Sequence, residues 1–162
     1  MKKTIVIMIL AIYIASIAVV NFFGLTTKQF SKVSYVTDIQ CQTITFIADN
    51  EKELYPQQWF GNTPLFVFDF IPAPEDSPYT TENLDTNPNK ILLNYHVFPN
   101  LAENTDVKFV FDEDAGTVVY NKLAKTFVVL EGDVIFTIMI KATDGSNVST
   151  EVKIYSRLPE AK

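Results

Sequence analysis

The sequence predicts an all-β sandwich preceded by one N-terminal transmembrane α-helix. Three observations lead there: an uncharged apolar run from Thr4 to Leu25, near absence of helical periodicity after it, and a succession of short strand-forming runs. Those runs are rich in Val, Ile, Phe, Tyr and Thr and are cut by Asn, Asp, Gly and Pro.

The apolar run is 22 residues long. As a helix it would measure about 33 Å, against roughly 30 Å of bilayer hydrocarbon. Lys2 and Lys3 precede it and favour a cytoplasmic N-terminus, while Lys28 and Lys32 after it weaken the bias. The expected topology is therefore N-terminus inside and C-terminal domain outside the cytoplasm. A cleaved signal peptide is the alternative, with Ser16-Ile17-Ala18 offering small residues at peptidase spacing. Val19, Val20, Phe22 and Phe23 prolong the run beyond that point and favour an uncleaved anchor. Within the segment, Ala11, Ala15 and Ala18 share a helix face, where small residues let membrane helices approach closely.

The expected organisation is an anchor or signal peptide at 1–25, a connector at 26–33, a sandwich domain at 34–157 and a tail at 158–162. Val33–Val36 and Ile39–Ala48 read as the first strands, and Asn50–Gln58 as a polar turn around Pro56. Leu65–Ile71 is a strongly apolar strand. The stretch 72–89 carries Pro72, Pro74, Pro78 and Pro88 and reads as one long loop, since proline cannot sustain a ladder. Ile91–Phe98 follows, with Leu93, Tyr95 and Val97 inward and Asn94 and His96 toward water. Val107, Phe109 and Phe111 alternate with more polar neighbours. Thr117–Tyr120 and Thr126–Leu130 are short strands. Val134, Phe136, Ile138 and Ile140 form the inward set of the next strand. Asp144-Gly145 closes a hairpin onto Val152 and Ile154.

Composition narrows the function. Without Lys2 and Lys3 the 13 basic residues fall to 11 against 19 acidic ones, a net charge of −8. That surface repels nucleic-acid phosphates, so no nucleic-acid partner is expected. Cys41 is the sole cysteine, which rules out an intramolecular disulfide and a cysteine-based zinc site. It is expected to be a small buried apolar residue.

The stretch 91–157 resembles the bacterial immunoglobulin-like domains of the group-2 type. The matching pieces are Leu93-Asn94-Tyr95-His96-Val97-Phe98-Pro99, Ala102, Asn104, Val107-Lys108-Phe109, Gly132-Asp133-Val134-Ile135-Phe136-Thr137-Ile138 and Thr143-Asp144-Gly145-Ser146-Asn147-Val148-Ser149. In this pattern Pro99 ends a strand, Gly132 turns the chain into the next, and Asp144-Gly145 closes the last hairpin. The resemblance implies an immunoglobulin-like antiparallel sandwich at a cell surface, used as a spacer or adhesive module. It carries no catalytic residues across.

Candidate chemistry is sparse. His96, the only histidine, has no triad or metal partners in the sequence and reads as solvated. Asp112 and Asp114, with Glu113 before Gly116, are weak calcium candidates; the loop lacks the later ligands of an EF-hand and reads first as an acidic turn. Phe66, Phe68 and Phe70 alternate with Leu65, Val67 and Ile71. They suit a strand covered on both faces or, alternatively, an aromatic face presented to a protein partner. Trp59-Phe60 reads as a core cap before a sugar-stacking site. Asn147-Val148-Ser149 matches a glycosylation triplet and reads as turn chemistry. The expected function is therefore non-enzymatic and cofactor-free: a membrane-anchored module with structural or adhesive contacts to a protein at the cell envelope. An accessory subunit assembled through the N-terminal helix is the alternative, and a secreted ligand-binding domain or enzyme a more remote one.

Overall fold

A computed structural model describes residues 2–26 and 35–159, which fall into two units, Met1–Val33 and Ser34–Lys162. The first unit contains α1, Lys2–Thr26, a single 25-residue helix. Its side chains are described at 5–9, 11–17 and 19, where Ile5, Met8, Ile12 and Tyr13 are exposed together with Ala11 and Ala15. The side chains of Thr4, Ala18 and Leu25 lie outside the described residues, as do residues 27–34, which hold most of the connector expected at 26–33. A helix covers the run Thr4–Leu25, as expected. Among the described residues no helix is long and apolar enough to cross a membrane, so the expected crossing is not shown. Ser16 donates its hydroxyl to the Ile12 carbonyl at 2.9 Å, so its polar group is satisfied within the helix.

The second unit is a β-sandwich of ten strands: β1 (Asp38–Phe46), β2 (Lys52–Leu54), β3 (Gln58–Phe60), β4 (Thr63–Asp69), β5 (Lys90–Phe98), β6 (Val107–Val110), β7 (Val118–Asn121), β8 (Thr126–Val129), β9 (Val134–Ala142) and β10 (Ser149–Arg157). One sheet has the order β2-β1-β5-β8-β7, the other β3-β4-β10-β9-β6. The expected antiparallel pattern holds for every described pair except β4 and β10, which run parallel with Phe66 opposite Ile154.

Period two decides which residues meet between the sheets. From the first sheet come Ile39, Cys41, Ile44, Phe46, Ile91 and Leu93; from the second, Phe66, Phe68, Ile138, Ile140, Val152 and Ile154, all buried in one core. Phe127 of β8 anchors an aromatic cluster, with ring centroids 4.7 Å from Tyr120, 5.2 Å from Phe109 and 5.4 Å from Phe111. On β5 the expected alternation is found, with His96 exposed on the outer face. Asn94 is half-buried and donates to the Thr43 and Thr45 hydroxyls at 2.9 Å each, a cross-strand tie to β1.

Two expectations are revised. The turn read over Asn50–Gln58 contains β2 and begins β3; at three residues each, with almost wholly exposed side chains, they carry no readable periodicity. Tyr35 and Val36 precede the first strand rather than belong to it. Gly132 lies in the bend into β9, as expected, and the positive-φ residue there is Asp133, at φ 61°. Gly132 is also required by close approach, because a Cβ there would lie 2.6 Å from Leu158 and 2.8 Å from Phe70. The long loop 72–89 contains no strand, as expected, and is tied at its end by buried asparagines. Asn89 accepts from the Ile71 amide at 2.8 Å and donates to its carbonyl at 2.9 Å. Asn87 donates to the Val129 carbonyl at 3.2 Å and accepts from the Asn89 amide at 2.8 Å.

Asn89→Ala should lower unfolding stability by about 1–3 kcal/mol, since it strands both backbone groups of Ile71; urea titration measures this. At the hairpin between β9 and β10, Asp144 accepts from the Ser146 hydroxyl at 2.6 Å and also from the Val36 amide. These bonds, the Ser146 hydroxyl first, hold its carboxyl below the usual range. A depressed folded-state value stabilises the fold above the unfolded pKa, and that contribution is lost as pH falls through the folded one. Melting temperature should therefore decline below about pH 4, and less steeply in Asp144→Asn, in a pH series of thermal melts.

Candidate functional site

A two-layer sandwich leaves two seams, one along each pair of edge strands. Along the first, β6 and β7 enclose a cavity of about 620 Å³ lined by Phe109, Phe111 and Tyr120 with Lys108, Lys122 and Glu113 at its margin. Its walls are the rim of the aromatic cluster around Phe127. Along the second, β1 faces β3 and the start of β10 across a cavity of about 540 Å³. This second seam combines a tryptophan with polar side chains.

β1 builds one wall. Alternation points Asp38, Gln40 and Gln42 outward while Ile39 and Cys41 turn toward the core. The outward side chains are linked: Gln40 Nε2 donates to Asp38 Oδ2 at 2.6 Å, and Gln42 Nε2 to Gln40 Oε1 at 3.5 Å. β2 pairs with β1 only from Ile44 to Phe46. From Asp38 to Thr43, β5 is therefore the one strand neighbour of β1 among the described residues, and the outer main-chain edge is open.

β3 supplies the other wall. Pairing of Gln58 with Leu65 and Phe60 with Thr63 sets a tight hairpin whose turn includes Gly61 at φ 63°. That hairpin presents Trp59, 58% exposed, to the cavity, whose lining also includes Asn62 and Thr150 of β10. Trp59 is therefore not the core cap expected from the sequence. Its neighbour Phe60 is half-exposed and takes Lys153 Nζ over its ring at 5.0 Å.

The site is close to neutral. Its lining holds one carboxylate, Asp38, and no Lys or Arg. Burial pushes the Cys41 thiol up to about 12, outweighing the lowering effect of its backbone bond near Asn94. Cys41 is thus an uncharged floor residue rather than a nucleophile.

The other residues singled out in the sequence do not converge here. Phe66, Phe68 and Phe70 are 0%, 2% and 5% exposed. They are core, which corrects the alternative of a partner-facing aromatic stripe: β10 pairs along one edge of β4, and the three rings pack in the cluster between the two sheets. Asp112 accepts from the Ala115 amide at 3.2 Å and so organises its own turn. Among the described residues no three His, Cys, Asp or Glu side chains are grouped to hold a metal ion. His96 lies near the Phe98 ring, on the outer face. Asn147, at φ 60°, and Gly145, at φ 88°, shape the last hairpin, as expected of turn residues.

No family model matches this chain, and no curated protein is significantly similar to it.

With the thiol buried and neutral, Cys41 should react with a disulfide reagent at pH 8 at least ~100-fold more slowly in the folded chain than in urea. Absorbance of the released thiolate measures the ratio.

Proposed function

We propose that this protein is a membrane-tethered, extracytoplasmic immunoglobulin-like module that works by binding, in a structural or adhesive role at the cell envelope, and not by catalysis. The observation that carries the reading is the strand order. With β1, β5, β8 and β7 standing for strands A, B, E and D, and β6, β9 and β10 for C, F and G, the two sheets follow the seven-strand immunoglobulin arrangement. On this reading β4 repeats the first strand on the opposite sheet. The excursion 47–62, with β2 and β3, is an addition to the pattern. The inter-sheet disulfide of antibody domains has no counterpart, and Phe109 rather than Trp sits on the third strand.

The tether is argued from the front of the sequence. Thr4–Leu25 contains no charged residue, and the described side chains of α1 are apolar apart from Tyr13 and Ser16. A helix of that kind needs an apolar solvent or a covering protein. Lys2 and Lys3 favour a cytoplasmic N-terminus, a bias that Lys28 and Lys32 weaken. A protein partner is the expected counterpart of the adhesive role.

The tether is tested by fractionation. The full chain should sediment with membranes, resist alkaline carbonate and enter the detergent phase, and protease added outside intact cells should cleave the sandwich. A chain found in the carbonate supernatant with its N-terminus intact would overturn the tether. An N-terminus beginning just after Ala18 would convert the reading to a secreted module.

A further inference from the structure

We propose that the cleft between β1 and β3 binds a neutral oligosaccharide of the N-acetylhexosamine class, with Trp59 as its stacking platform. The chemistry stands on the cleft alone; its role as the adhesive contact rests on the reading above.

The first observation is Trp59 itself. A three-residue edge strand holds this indole 58% exposed against the cleft. Left in water, its apolar face contributes little to folding, while the rigid ring offers a large flat contact surface at low entropic cost. A pyranose in the β-gluco configuration presents a flat face of C–H groups that fits such a ring.

The second observation is the polar row that β1 adds to the same lining. Asp38, Gln40 and Gln42 are held in line by their own hydrogen bonds, with Asn62 and Thr150 completing the polar rim. Side-chain amides both donate and accept, which is the requirement for binding hydroxyls and acetamido groups together. The open main-chain edge of β1 adds further donors and acceptors along the same line.

The third observation is charge. With a single carboxylate and no cation in its lining, the cleft selects against anionic ligands such as uronic acids and phosphates. Its volume of about 540 Å³ lies in the range of small-ligand sites. A peptide adding as a strand to the free edge of β1 would use main-chain pairing and would be indifferent to Gln40 and Gln42. The ordered side-chain row favours the saccharide.

Trp59 is the only tryptophan in the chain, so intrinsic fluorescence reports this cleft directly. The full chain, in micelles of a detergent without a sugar headgroup, is titrated with tetra-N-acetylchitotetraose, maltotetraose, a hyaluronan tetrasaccharide and an extended Thr-Val octapeptide. Saturable quenching with chitotetraose is expected, with weaker binding of maltotetraose and none of hyaluronan. Gln40→Ala and Gln42→Ala should each raise Kd about tenfold, the effect of one lost hydrogen bond. Trp59→Ala should abolish binding by calorimetry at an unchanged melting temperature. The proposal is overturned if no neutral saccharide gives a saturable signal, if Trp59→Ala still binds, or if the peptide binds more tightly and ignores Gln40→Ala. Carbonate fractionation of the same membranes keeps the two readings apart. Loss of saccharide binding in a membrane-retained chain removes the cleft proposal alone, and binding by a chain that washes off removes the tether alone.

Discussion

Mutual burial of two apolar sheet faces is the constraint on which the rest of the sandwich depends. Neither sheet can shed its inner face alone. Ile44, Ile91 and Phe127 on one side are covered only because Phe66, Ile138, Ile140 and Ile154 approach from the other. The domain has no disulfide to restrict its unfolded state, so the area removed from water carries the cost of ordering the chain. β10 occupies the middle of its sheet. It pairs antiparallel with β9 and parallel with β4, and so joins the end of the chain to a strand far earlier in sequence.

Polar residues then specify how the connections sit on that core. Asn89 takes both main-chain groups of Ile71 beyond the end of β4, where the sheet ladder has stopped. Ser156, fully buried, donates its hydroxyl near the carbonyls of Glu131 and Val134 and steadies the turn into β9. Asp144 joins the last hairpin to the amide of Val36, where the chain enters the domain. A buried or half-buried polar atom without such a partner would cost free energy, so each of these side chains narrows the choice of loop conformation.

The same architecture leaves edges, and edges are where a closed core meets other molecules. The β6–β7 seam is lined by aromatic side chains that belong to the core rim. The β1–β3 seam differs because the β3–β4 hairpin brings an exposed indole into a lining shared with polar residues of β1. That indole lies outside the buried core, so it can vary without disturbing the residues that hold the sheets together.

Legible from residues alone were the β class, the inward sets of β5, β6, β9 and β10, the closing hairpin at Asp144-Gly145 and the helix at the front. Each is a local property: side chains alternate with period two, glycine tolerates positive φ, and a long uncharged apolar run without turn residues suits a helix. Only the tertiary structure decided that β4 lies parallel to β10, that β2 and β3 exist, that Phe66, Phe68 and Phe70 are core, and that Trp59 faces a cleft. The parallel pairing depends on residues distant in sequence, such as Leu65 with Lys153, while β2 and β3 are local pairings too short to show a period. A side chain's exposure there follows from which strand arrives opposite it, which composition and periodicity do not encode.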